Sequence, residues 1–375
     1  MKKIKKLSIP NDAKVIVISD IHGELNLLKE ALHKVNFKDE DYLIINGDLC
    51  EKGRDSVGVV SYVMNLVKNN SNVHVVEGNC EVLVDALLNE NPRLINYLCA
   101  RKHSIFNEWL EKLDFLVHEG TSIREVKEAL LSEFSQEINW LTELPTAIET
   151  EDYIFVHAGL EDRVDWKETE RKNAITMPEF FNKSHRANKY VVVGHWPVVN
   201  YSEEAPYNNP VIDREKKIIA IDGGNAIKEA GQLNAFIIQR KPTSDMFSYT
   251  YVDYFPEYEV IADFNADSEM QGGVTYPYYY IEPMEKVQDY TICKQKETNT
   301  LLYVKNEYIR KLESGEYTVK TDISCAQISV RKGDIVSLID GSCSGYDLIK
   351  KDGVEGWIEK GILLEMNKKQ NNILS

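Results

Sequence analysis

Five short runs in this chain are apolar at nearly every position: Val15-Ile16-Val17-Ile18, Tyr42-Leu43-Ile44-Ile45, Val73-His74-Val75-Val76, Tyr153-Ile154-Phe155-Val156 and Tyr190-Val191-Val192-Val193. A short run without polar alternation is a strand buried on both faces. Between the first two, Leu25, Leu28, Ala31, Leu32 and Val35 recur at helical spacing, so residues 24–35 are predicted as a helix; 57–67 read likewise. The first eighty residues thus read strand–helix–strand–helix–strand, a parallel sheet covered by helices. Residues 85–145 read as a helical layer or cap anchored by Trp109, Leu110, Leu113, Trp140 and Leu141. Two more strands are predicted at 218–221 and 235–238.

The pattern changes near residue 245. Tyrosines crowd Tyr249 to Tyr280, and from Glu316 short alternating strands are split by Lys332-Gly333-Asp334, Asp340-Gly341, Ser344-Gly345 and Asp352-Gly353. That is the pattern of a small all-β barrel. The expected division is 1–245 as an α/β domain, 246–315 as a β-rich connecting segment, 316–366 as the barrel and 367–375 as a flexible polar tail.

The chain has 375 residues, 43% hydrophobic, and a formal charge of -16. So acidic a protein is not expected to bind nucleic-acid backbones. A phosphate substrate remains compatible, because bound metal ions reverse the local field. The basic start is followed by no apolar core of useful length, and no stretch approaches a membrane span. Six cysteines without CxxC pairs fit reduced thiols, and a cytoplasmic location is expected.

Chemistry-bearing residues cluster where the strands end: Asp20-Ile21-His22-Gly23, Gly47-Asp48-Leu49-Cys50-Glu51-Lys52-Gly53, Gly78-Asn79-Cys80-Glu81, His157-Ala158-Gly159 and Gly194-His195. Open α/β sheets place ligands at the carboxyl ends of their strands. Taken singly, Asp20 reads as a helix cap, Gly47-Asp48 and Asn79 as turns, and His157 as a core histidine. As an ordered set, Asp20, His22, Asp48, Asn79, His157 and His195 make a mixed oxygen and nitrogen ligand set for two divalent ions. Two ions about 3.5–4 Å apart, bridged by Asp48, would yield a hydroxide nucleophile and clamp a phosphoryl oxygen.

On these motifs, residues 15–240 resemble the calcineurin-like metallophosphoesterases, within them the phosphoprotein phosphatase group that includes diadenosine tetraphosphate hydrolases. The resemblance implies a two-sheet α/β sandwich flanked by helices. It implies Asp20, His22 and Asp48 on one metal and Asp48, Asn79, His157 and His195 on the other. Manganese is the expected ion, with iron/zinc or nickel as alternatives. The sequence departs from the group in one neighbourhood. Cys80 stands where a histidine would protonate the leaving group, Glu51 replaces the aspartate orienting it, and Lys52 replaces a phosphate-gripping arginine. Asp48, Asn79, Lys52, Cys80 and Glu51 are the expected catalytic residues, with Lys52 and Arg54 as substrate contacts. Arg163, Arg171 and Arg186 are weaker candidates.

Residues 328–338 and 352–358 resemble an SH3-like barrel, and a protein ligand for it is one expectation. Trp357 and Tyr346 supply aromatic character, but Glu359 and Ile362 stand where a groove proline and tyrosine would be expected. The reading is a binuclear-metal phosphoesterase acting on phosphomonoesters, phosphoprotein included. Its rivals are a nucleotide phosphodiesterase or dinucleoside polyphosphate hydrolase, and a weakly active metal-binding adaptor.

Overall fold

A computed structural model describes residues 1, 3–202 and 205–366; the predicted tail from Asn367 lies outside them. The chain divides into two compact units. The first comprises residues 1–198, 209–227 and 231–253, the second 199–208, 228–230 and 254 onward.

The first unit is built on two sheets. Its elements are β1 (Ile4–Lys6), β2 (Lys14–Ile18), α1 (Leu25–Lys34), β3 (Tyr42–Asn46), α2 (Ser56–Asn69), β4 (Val73–Val76), α3 (Leu83–Leu88), α4 (Arg93–Ala100), α5 (Ile105–Lys112), α6 (Ile123–Glu143), β5 (Ala147–Glu149), β6 (Tyr153–Val156), α7 (Arg171–Thr176), β7 (Tyr190–Val193), β8 (Val211–Asp213), β9 (Ile218–Ala220), β10 (Leu233–Gln239) and β11 (Met246–Val252). One sheet runs β11-β10-β2-β3-β4 and the other β1-β5-β6-β7-β9-β8. Strands β2, β3 and β4 are parallel, as are β6, β7 and β9.

The unbroken apolar runs follow from this layering. Val15, Val17 and Ile44 point between the sheets, where they meet Phe155, Val192 and Ile219. Their neighbours Ile16, Ile18, Leu43 and Ile45 point the other way, into a second core shared with Leu28, Leu32, Val59, Val63 and Trp109. The helical layer predicted at 85–145 is α3–α6, docked on that outer core. Edge strands β1 and β8 escaped prediction because they are short and half-exposed, without an apolar pattern.

The second unit is all β, with β12 (Glu257–Val260), β13 (Gly273–Val274), β14 (Tyr280–Val287), β15 (Tyr290–Gln295), β16 (Leu301–Lys305), β17 (Ile309–Lys311), β18 (Tyr317–Val319), β19 (Ile323–Ser324), β20 (Ile335–Asp340), β21 (Tyr346–Lys351), β22 (Val354–Glu359) and β23 (Leu363–Glu365). Its two five-stranded sheets run β22-β21-β20-β12-β23 and β16-β15-β14-β18-β17. The expected connector at 246–315 is therefore divided. Its first strand, β11, pairs with β10 in the first unit, and β12 sits between β20 and β23 in the second. Residues 316–366 do not close on themselves, because the strand between β20 and β23 comes from further upstream.

Nor do the aromatic residues expected at a groove form one. Trp357 is wholly buried, its indole N–H donating to Ser324 O at 2.7 Å, and Tyr346 packs on the same core. They enclose the buried Lys305 ammonium, which lies 4.8 Å from the Tyr290 ring, 5.5 Å from Tyr346 and 5.7 Å from Trp357. That ammonium also donates to Asp289 O at 3.1 Å, so the three rings and this carbonyl together compensate a buried charge. Among the described residues no helix is long and apolar enough to cross a membrane.

The outer core predicts its own test. Trp109 stacks on Phe134 with ring centroids 5.1 Å apart and is buried. Trp109→Ala is expected to destabilise the protein by about 3–5 kcal/mol, read as a lower urea midpoint by far-UV circular dichroism. An unmoved midpoint would mean that the helical layer does not share the core.

Candidate metal centre

The strand ends of both sheets converge on one point. Asp20 follows β2, Asp48 follows β3 and Asn79 follows β4; His157 and His195 follow β6 and β7 of the other sheet. Asn46, the last residue of β3, joins the sheets there. Its amide donates to Val156 O at 3.0 Å and to Val192 O at 3.2 Å.

Each chain turns sharply as it leaves its strand. Asp20, His22, Asp48, Glu51, Lys52 and His195 all have positive φ, between 49° and 71°. Such backbone costs on the order of 1–3 kcal/mol per residue and persists where the surroundings hold it. Here it turns the Asp20, Asp48 and His195 side chains into the site within two residues of their strands. The glycines between them leave no room for a methyl group. A Cβ on Gly194 would lie 2.2 Å from Asp20 Oδ2, and one on Gly78 would lie 2.3 Å from Asp48 Oδ1.

The imidazoles are oriented by the backbone. His22 Nδ1–H donates to Cys50 O at 3.3 Å and His157 Nδ1–H to Asn46 O at 2.9 Å. Their Nε2 lone pairs then face other acceptors. His157 Nε2 is 3.2 Å from Asn79 Oδ1 and 3.4 Å from Asp48 Oδ1; His22 Nε2 is 3.7 Å from Asp48 Oδ2 and 3.9 Å from Asp20 Oδ1. Two groupings, His22-Asp48-Cys80 and Asp20-Asp48-His157, have ligand atoms all within 4.8 Å of one another. Buried acceptors pointed at acceptors are stable only with a cation among them. The donor set therefore fits divalent metal ions. Asp20, His22, Asp48, Asn79 and His157 would hold them, with His195 at the rim, its ring 5.1 Å from that of His157.

The electrostatics agree. Burial, helped by the neighbouring Asp48 charge, pushes Asp20 up to about 8. Burial also works against the Asp48 charge, but His157, His22 and Lys52 hold it well below the usual carboxylate range. Burial lowers His22 to about 4 and, together with His157, lowers His195 to about 4. Neutral imidazole is the form that ligates a metal.

The substituted positions sit as follows. Cys80 is buried beside Asp48, its backbone N–H donating to Oδ1 at 2.9 Å and its thiol to Oδ2 at 3.2 Å. Burial, then the Asp48 charge, raises the thiol well above its ordinary value. Lys52 Nζ reaches His22 Nε2 at 3.2 Å, the cation nearest the donors. Arg54 is exposed beyond it.

Glu51 corrects the expectation made for it: it orients nothing in the centre. Its carboxylate accepts from Tyr97 Oη at 2.6 Å, Ser104 Oγ at 3.0 Å and the Ile105 N–H at 2.9 Å. It thus binds the start of α5, where free N–H groups and the helix dipole favour a negative charge. Glu108 of α5 reciprocates, accepting from the Ser56 and Val57 N–H groups at the start of α2.

The other arginine candidates are engaged elsewhere. Arg171 pairs with Glu77 and Asp85, both at 2.5 Å; Arg186 pairs with Asp162 at 2.9 Å, and Arg163 pairs with Glu161.

Two buried carboxylates were not assigned from sequence. Glu81 Oε2 accepts from the Asp48 and Gly78 N–H groups at 3.0 and 2.7 Å, and Oε1 from Leu49 N–H at 2.9 Å. It locks the loop after β3 to the loop after β4. Burial, then Asp48, raises it to about 7. Asp222, just past β9, accepts from Gly224 N–H at 2.8 Å, and burial pushes it well up, with the Asp20 charge adding. Glu81 lies in the motif Gly78-Asn79-Cys80-Glu81 and Asp222 directly after the strand predicted at 218–221, but only their backbone partners reveal their work.

Comparison with known proteins gives the chain its relatives. A family model described as calcineurin-like phosphoesterase matches residues 13–222, more than half of the chain. Symmetrical bis(5'-nucleosyl)-tetraphosphatases from three strains of Buchnera aphidicola subsp. Acyrthosiphon pisum are 36% identical over 101 residues, which cover 26% of this chain and 32% of theirs. The match thus spans about a third of the length of these curated relatives. Among solved structures, a Saccharomyces cerevisiae protein serine/threonine phosphatase with similarity to human phosphatase PP5 is 13% identical. It covers 68% of this chain and 85% of its own, with TM-score 0.41. A cold-active protein-tyrosine phosphatase of Shewanella sp. is 14% identical and covers 68% of this chain and 83% of its own, with TM-score 0.42.

Asp48→Asn is expected to abolish retention of added divalent metal in metal analysis after dialysis, while Glu81→Gln, which keeps the volume, should weaken it roughly 10–100-fold. Retention by Asp48→Asn would refute the ligand set. The chelated protein should also lose stability as pH rises from about 7.5 to about 8.5. In that range free imidazoles are already neutral, whereas Asp20, raised to about 8, binds its proton more tightly in the folded state than in the unfolded. Stability that rises with pH across this window in chelator would contradict the buried carboxylate pair.

Proposed function

The chain belongs to the calcineurin-like phosphoesterase family, and from that premise we propose that it uses two divalent ions to hydrolyse phosphomonoesters with good leaving groups, aryl phosphates and phosphotyrosine among them. The observation carrying this is the convergence of Asp20, His22, Asp48, Asn79 and His157 with Cys80, rather than an imidazole, beside Asp48. When bound, the ions would supply Lewis acidity, lowering the pKa of water and neutralising phosphoryl charge.

The protein's own groups do the rest. Asp48, anchored by the Cys80 N–H, faces His22 with one oxygen and His157 with the other, so it would hold metal on both sides of its carboxylate. Lys52 holds a phosphoryl oxygen as a point charge, since its ammonium already lies against the donors. Cys80 keeps its proton on sulfur, donated to Asp48 Oδ2, and a thiol is a poor general acid at neutral pH. The leaving oxygen therefore departs with its charge, which selects leaving groups of low pKa.

A second reading is hydrolysis of a diphosphate bond in a dinucleoside polyphosphate. The 36% identity to symmetrical bis(5'-nucleosyl)-tetraphosphatases supports it, and so does the good leaving group that a phosphate anhydride provides.

Turnover of p-nitrophenyl phosphate, bis-p-nitrophenyl phosphate, diadenosine tetraphosphate and phosphopeptides, with Mn²⁺ and with chelator, separates the readings. Metal-dependent monoester turnover is expected. Preference for diadenosine tetraphosphate would select the second reading, and no turnover of any substrate with metals bound would reject both. Cys80→His should raise the rate on alkyl phosphates by on the order of 10²–10⁴ and that on p-nitrophenyl phosphate far less. Lys52→Ala should lower kcat/KM roughly 10–100-fold.

A further inference from the structure

The strands that carry the metal centre at their carboxyl ends enclose a second polar cavity at their amino ends. It has a volume of about 320 Å³ and lies wholly within the first unit. Tyr153 opens β6, Tyr190 opens β7, and the turn from Arg214 to Lys217 joins β8 to β9. Along β6, four residues separate Tyr153 from His157, or about 13 Å.

In a chain of formal charge -16 this cavity is basic. Its wall carries Lys189, Arg214, Lys217, Arg240 and Lys241 against Asp152 and Asp245. Three of the five pair with carboxylates: Lys189 with Glu149 at 3.0 Å, Lys241 with Asp12 at 3.6 Å, and Arg240 with Asp152 and Asp245. Lys217 donates only to a neutral amide, Asn188 Oδ1, at 2.7 Å. Arg214 has no carboxylate partner among the described residues; its guanidinium lies over the Phe247 ring, 5.3 Å from the centroid.

The buried member of the set is Arg240, with 5% of its surface exposed. Its Nη2 donates to Asp152 at 2.5 Å and its Nε lies 3.1 Å from Asp245. Asp245 also accepts from Tyr153 Oη at 2.6 Å and from Lys241 N–H at 2.8 Å, so its acceptor capacity is shared. Arg240 Nη1 is buried in the cavity wall without a hydrogen-bond partner among the described residues. A buried guanidinium N–H left unpaired is costly. Arg214 and Lys217, neither paired with a carboxylate among the described residues, thus stand beside a wall formed by Phe247 and Tyr190, whose rings pack edge to face 5.5 Å apart.

We propose that this cavity is a second anion site, distinct from the metal centre, which binds a phosphate group through Arg214 and Lys217, with the buried Arg240 guanidinium in the wall behind them. Arginine matches phosphate oxygens with parallel N–H donors, and lysine adds a point charge. The volume suits a small molecule, and the aromatic wall adds apolar surface beside the charges. The ligand is therefore free phosphate or a small phosphate ester such as a nucleoside monophosphate.

The test is equilibrium dialysis of the full chain against labelled inorganic phosphate, in Mn²⁺ and after chelation. Phosphate bound in chelator is expected to be the fraction held here. Arg214→Glu/Lys217→Glu should weaken that binding at least tenfold while leaving p-nitrophenyl phosphate turnover in Mn²⁺ unchanged. Arg214→Ala, a milder change at an exposed residue, should weaken it severalfold. AMP that displaces the chelator-resistant phosphate would identify a nucleotide as the ligand, and AMP that does not would identify free phosphate. Absence of phosphate binding in chelator, or equal binding by wild type and both variants, would overturn the proposal.

Discussion

The centre is organised by one electrostatic constraint: buried acceptors are held face to face. Backbone carbonyls take the Nδ1 protons of His22 and His157, so the opposite nitrogens present lone pairs to Asp48, Asp20 and Asn79. Left alone, such a set would spread apart or take up protons. Several features oppose that spreading. Positive-φ turns fix where the side chains leave the strands. Glu81 ties two loops by three N–H groups, and Asn46 ties the end of β3 to the ends of β6 and β7. The polar cluster is stable where a cation belongs, and the backbone strain around it maintains a preformed site.

The departures at positions 51 and 80 make sense together. With a thiol at Cys80 there is no imidazole for an acid at position 51 to orient. Glu51 instead caps α5, while Glu108 of α5 caps α2. A loop that would otherwise serve proton transfer has become a joint between the centre and the helical layer. The ligand residues are untouched by this exchange, because they descend from strand ends, whereas Glu51 lies further out on the loop.

Much of the first unit was legible in the sequence because its information is local. Doubly buried strands show as unbroken apolar runs, α1 and α2 show as helical periods, and the ligands stand immediately after strands. Local order of that kind survives without knowledge of partners. The two carboxylates that escaped notice, Glu81 and Asp222, were visible as letters, one in a motif and one just past a predicted strand. Their function depends on which N–H groups they meet, and those come from other loops.

The sequence by itself determined the α/β layering, the placing of candidate metal-ligating side chains just past strand ends and the absence of an imidazole at position 80, since each rests on side-chain type and short-range spacing. Tertiary structure alone decided where long side chains reach. Arg171 binds Glu77 and Asp85 across more than eighty residues of chain. Trp357 fills a core in place of a groove, and β11 and β12, adjacent in sequence, join different sheets. The basic cavity is likewise assembled from residues spread between Asn11 and Phe247. Pairings over such separations are set by the packing of whole sheets, and no periodicity along the chain encodes them.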